Sequence, residues 1–112
     1  MKRYASHYIF IATEGYLRQG VVEMDEGRII RLFPLTEEIE NTEWLSGAIL
    51  ICPETLEHTI SGSEIFQEIR WYPLKLDNRR FEETDNLSAF HFSSFDLISM
   101  LPVSGTQRRR LR

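Results

Sequence analysis

Between Tyr4 and Pro53 the chain alternates short runs of β-branched, aromatic and aliphatic residues with turn-forming residues, and that rhythm commits the first half to a sheet. Ser6 to Ala12 carries no glycine or proline and is rich in strand formers, which predicts a buried or half-buried strand. Thr13, Glu14 and Gly15 end it. Arg18, Gln19 and Gly20 lead into Val21 to Met24, where Val22 and Met24 fall on the face opposite Val21 and Glu23. Asp25, Glu26 and Gly27 predict a hairpin connection, with the glycine supplying positive φ. Arg28 to Phe33 completes it, with Ile30 and Leu32 on one face and Ile29, Arg31 and Phe33 on the other; Pro34 stops the strand. Thr36 to Ile39 has the makings of one helical turn. Glu43 to Leu45 and Ala48 to Cys52, broken at Ser46 and Gly47, read as one bent strand ending at Pro53.

The second half changes character. Pro53 to His58 suits a helical turn with an early proline. Glu64 to Tyr72 sets Ile65, Ile69 and Tyr72 at helical spacing, predicting the one real helix near 64–72. Ser61 with Glu64 gives it a capping box, and Pro73 ends it. Ser88 to Phe92 and Leu97 to Leu101 read as strands, and Gln107 to Leu111 as a final edge strand. The expected architecture is a single domain, 1–112: an N-terminal β segment (1–53), a helix and loop (54–87) and C-terminal strands (88–112). Its class is mostly β, a β-sandwich or twisted antiparallel sheet with one helix.

The segment Gly20-Val21-Val22-Glu23-Met24-Asp25-Glu26-Gly27-Arg28-Ile29-Ile30, followed by an apolar strand closing on Pro53, resembles the opening of metal-dependent amidohydrolases of the imidazolonepropionase, dihydroorotase and cytosine-deaminase kind. In that family this opening builds a small composite β-sandwich beside a catalytic (β/α)8 barrel, completed by strands from the C-terminal side; Ser88 to Leu111 looks like their counterpart. The resemblance covers residues 1–53 and then breaks. The family places a glycine and a His-x-His metal-binding pair directly after the proline, whereas Pro53 is followed here by Glu54, Thr55, Leu56, Glu57 and His58. A barrel needs at least about 200 residues, and residues 54–87 cannot hold one. The resemblance therefore implies a free-standing accessory domain without catalysis.

The chemistry-bearing residues point the same way. The three histidines, His7, His58 and His91, show no metal-ligand spacing, although Glu54 and His58 would share a helix face. The lone cysteine, Cys52, lies in an apolar run and reads as a buried reduced thiol. Glu37, Glu38, Glu40 and Glu43 read as a solvated acidic loop, and Ser61 to Ser63 as a plain helix cap without a flanking cation. No catalytic residue, cofactor or metal site is expected. A net charge of −4 argues against general nucleic-acid affinity. The exception is a basic cluster, Arg108, Arg109, Arg110 and Arg112, the one candidate interaction site, which suits RNA or an acidic partner and equally a terminal strand of alternating outward arginines or a solvated tail.

No apolar run approaches the roughly 20 residues that span a bilayer, and the N-terminus lacks a signal-peptide pattern, so a soluble cytoplasmic chain is expected. The aromatic content exceeds what a small core needs. It suits either an exposed sheet face that marks a partner interface or core packing around the helix; the expected role is binding or structural, through a protein partner or self-association. An accessory subunit of a split amidohydrolase and a nucleic-acid adaptor acting through the basic tail are the alternatives.

Overall fold

The computed structural model describes residues 1–37, 39–53 and 64–112. The expected turn at 54–58, the Glu54 and His58 pair and the Ser61 cap lie outside them, as does Glu38. The strands are β1 (Lys2–Ile11), β2 (Gly15–Asp25), β3 (Arg28–Pro34), β4 (Thr42–Trp44), β5 (Ala48–Pro53), β6 (Arg79–Arg80), β7 (Leu87–Ser93) and β8 (Gln107–Arg110), with α1 at Glu64–Ile69. They form one sheet in the order β6-β3-β2-β1-β5-β7-β8, with β4 alongside β1. The fold is mostly β, and the C-terminal strands join the N-terminal ones through the antiparallel β5–β7 pair.

One expectation needs correcting: the sheet is mixed. β1 pairs in parallel with β4, Tyr4 opposite Glu43, and then with β5, Ile9 opposite Ile49. The bent strand read from the sequence is two strands, β4 and β5, that follow one another along β1, and the break between them falls beside Ser6. The Ser6 hydroxyl, fully buried, lies 2.8 Å from the Leu45 carbonyl and 2.9 Å from that of Gly47, so it stands in for the ladder where the backbone leaves register. Gly47 has φ +100°, and a Cβ there would sit 2.2 Å from the Phe92 carbonyl oxygen. Only glycine lets β7 approach this close.

The β2–β3 hairpin turns at Glu26 and Gly27, both with positive φ, as a tight two-residue connection demands. A bulge follows. Glu23 faces Arg31 but Met24 faces Ile29, so Ile30 is the extra residue. This moves Ile29 onto the face of Leu32, and both are buried in one cluster, against the strict alternation expected of Arg28 to Phe33. Val22 and Met24 do share that inner face.

Each face of the sheet carries its own core. On one, Ile29 and Phe81 from one end of the strand order pack in the same cluster as Ala89 and Leu111 from the other, so the sheet curls around it as the two layers of a sandwich would enclose a core. On the other face Phe66 of α1 stands edge-on to Phe10 and Phe92, with ring centroids 5.0 Å away in both cases, and close to Phe95. Most of the expected aromatic surplus is spent here.

The helix is shorter than its periodicity, ending at Ile69 and not Tyr72. Pro73 disfavours helical backbone at the preceding residue, and β2 captures the exit: Tyr16 N–H donates to the Tyr72 carbonyl and Leu74 N–H to the Tyr16 carbonyl. Thr36, Glu37 and Ile39 are not helical, and Leu97 to Leu101 is a turn, not a strand. The Asp96 carboxylate accepts from Ile98 N–H, Ser99 N–H and the Ser99 hydroxyl, bonds that compete successfully with a ladder. No helix among the described residues is long and apolar enough to cross a membrane.

Candidate functional site

The basic cluster is stitched to the sheet. β8 pairs with β7, Arg110 opposite Phe90 and Arg108 opposite Phe92, and strand alternation sends Arg109 to the side opposite Arg108 and Arg110. The Arg108 guanidinium lies 5.7 Å from the Phe90 ring centroid, and Arg110 donates to the Ser88 hydroxyl at 3.0 Å. Beyond them Leu111 is buried, its N–H donating to Ala89, and the Arg112 carbonyl accepts from the Tyr4 hydroxyl at 2.9 Å. The four arginines are thus distributed along an edge strand and its anchor, and do not converge on one point.

Two histidines are engaged separately. His7 meets Trp44 edge-on at 4.7 Å, and the His91 Nε2–H donates to the Ser46 carbonyl at 2.6 Å. Cys52 is fully buried. Among the described residues no three His, Cys, Asp or Glu side chains are grouped to hold a metal ion.

The strongest electrostatic feature is Glu23. Register sets Arg3, Glu23 and Arg31 side by side on β1, β2 and β3, and the carboxylate accepts from Arg31 Nε at 2.5 Å and Arg3 Nε at 2.7 Å. The Arg31 hydrogen bond, outweighing desolvation, lowers the Glu23 pKa below the ordinary carboxylate value. The carboxylate is screened from water yet shallow, lying beneath two partly exposed guanidiniums. This ladder holds three strands in register. A second pair, Arg79 with Glu14, ties β6 to the β1–β2 turn.

The described surface that remains unexplained by folding is apolar. Trp44, Trp71 and Tyr72 are exposed, and Ile98 is 95% exposed. Ile98 is held out by the Asp96 turn, which the Met100 N–H bond to the Asp96 carbonyl and the Arg70 bond to the Ser99 carbonyl brace from both sides. Ser99 is the chief cause of the lowered Asp96 pKa, so the turn's anchor stays ionised.

Ile98 borders a hollow of about 200 Å³ with His7, Arg18 and Gln19. Trp44, on the other side of His7, borders a groove of about 420 Å³ with Ala5, Leu35, Ile39 and Glu37. Their linings touch through the His7 and Trp44 contact and through the Leu35 N–H bond to the Gln19 carbonyl. Sequence reasoning placed Ile98 in a strand; the Asp96-x-x-Ser99 spacing was the available signal for a turn.

Comparison with protein-family models, with curated proteins and with solved structures finds no match.

Proposed function

We propose that this chain is a non-catalytic domain that works by binding protein, similar to the accessory β-domain of metal-dependent amidohydrolases. The observation that carries the reading is Ile98. An apolar side chain of this size gains roughly 1.5–3 kcal/mol on full burial, yet a fully bonded turn fixes it in water at 95% exposure. A preformed turn that presents an apolar anchor lowers the ordering cost of association. The neighbouring Trp44 and its groove extend the patch with the residue type most enriched among binding hot spots.

The test is Ile98→Asp, a surface change with no cost to the core. The wild-type protein, purified at native length, is expected to form a complex, with itself or with a second protein, that the variant loses in light scattering and in affinity capture from its own cell extract. A chain that stays solitary in both measurements, or a complex indifferent to Ile98→Asp, overturns the reading. A stoichiometric barrel hydrolase as the Ile98-dependent partner would make the chain the accessory subunit of a split enzyme.

A further inference from the structure

Resting on that binding role, we infer that the occupant of the surface is a second copy of this chain, docked about a two-fold axis near His7 and Gln19. The surface is self-complementary. At one end a single knob, Ile98, stands 95% exposed. At the other lies a groove of about 420 Å³ walled by Leu35, Ile39 and Trp44, roomy for an isoleucine side chain. His7 borders the knob's hollow and its ring meets Trp44 of the groove, so a two-fold rotation about a point between them would bring each copy's knob over the other's groove, the isologous arrangement that closes at two subunits.

Charge follows the same polarity. The knob end carries Arg18, exposed and in no ion pair among the described residues, and the groove end carries Glu37, likewise exposed and unpaired. Superposing knob on groove brings Arg18 of one copy toward Glu37 of the other, twice per dimer. Like-with-like docking would oppose the two Arg18 side chains and the two Glu37 side chains, so the charges select the knob-in-groove register.

Sedimentation velocity over a micromolar to submillimolar range is the test. Wild type is expected to shift from 13.2 kDa toward twice that mass. Ile98→Asp, which removes two knobs per dimer, should raise the dissociation constant roughly a hundredfold or more. Arg18→Glu and Glu37→Arg should each weaken the dimer, and the double exchange, which swaps both ends of both contacts, should restore it. A structural injury would not be rescued by that second charge reversal.

A protein monomeric throughout overturns the self-association. So does a dimer that tolerates Ile98→Asp or is not restored by the double exchange. If the chain is monomeric while a different protein still binds in an Ile98-dependent way, the dimer fails and the binding role stands; if neither occurs, both fail.

Discussion

Replacing Gly47, Gly27 and Gly105 by alanine, one at a time, separates backbone strain from steric exclusion. Gly27 has φ +80° with open space around its missing side chain, so Gly27→Ala costs only the strain of a positive φ, about 1–2 kcal/mol. Gly105 has open space and no positive φ, and alanine there is expected to be neutral or to stabilise by about 0.5 kcal/mol through the unfolded chain. Gly47 combines φ +100° with a Cβ 2.2 Å from the Phe92 carbonyl oxygen, where no real Cβ comes within 3.0 Å.

Strand β7 must therefore retreat by roughly 0.8 Å or more, which strains the β5–β7 ladder and loosens packing at Phe92 and Phe95. Adding about 1–2 kcal/mol for φ and about 1–3 for the hydrogen bonding and contacts disturbed gives about 2–5 kcal/mol, a large part of the about 5–15 kcal/mol that holds a domain folded. Urea unfolding followed by the fluorescence of Trp44 and Trp71 reads this as a midpoint lowered by roughly 2 M, given a slope of about 1–3 kcal/mol per molar. Equal losses in Gly47→Ala and Gly27→Ala would refute the claim that the approach of β7 fixes the residue.

Three further outcomes are expected. Glu23→Gln should cost about 1–3 kcal/mol at neutral pH; because folding lowers the Glu23 pKa, this contribution is complete above the unfolded carboxyl range and fades as pH falls through the folded value. The gap between wild type and variant in urea titrations should thus narrow in acid, and a pH-independent gap would contradict the ladder. Phe66→Ala, at the centre of the aromatic cluster, should cost about 3–5 kcal/mol in the same assay, and a loss under 1 kcal/mol would show that α1 is not needed to cover that face. Cys52, buried to 0%, should react with a thiol reagent only at the rate of unfolding, so rapid labelling of the native protein would place it at the surface.

What could be read from the sequence was whatever a local residue enforces. Asp25, Glu26 and Gly27 announce their hairpin because the glycine takes positive φ without cost, although Glu26 beside it adopts positive φ as well. Ser46 and Gly47 announce the break between β4 and β5, and Ser88 to Phe92 and Gln107 to Leu111 mark β7 and β8. The parallel pairing of β1 carries no such mark, since Ile9 would suit an antiparallel neighbour as well as Ile49. The bulge at Ile30 hides because either isoleucine could face the core, and only the register with Met24 decides.

The candidate surface was less legible. Leu97 to Leu101 is apolar enough to pass for a strand, and the decisive bonds come from Asp96 and Arg70, one just outside the run and one distant in the chain. The arginine cluster and the strand that carries it were both visible, but its anchors, Ser88, Ala89 and Tyr4, come from distant parts of the chain.

The parallel contact of β1 with β5 also has a consequence in time. β5 is buried at Ala48 through Cys52, so it offers no polar face to hide behind, and its second neighbour, β7, starts only at Leu87. During synthesis the most water-averse strand must wait, half paired, while the rest of its sheet is made. Such distant pairings close slowly, in about milliseconds to seconds, and an unpaired apolar edge is where growing chains stick to one another. The helper this protein most needs while it is being made is one that shields residues 48–52 until β7 arrives.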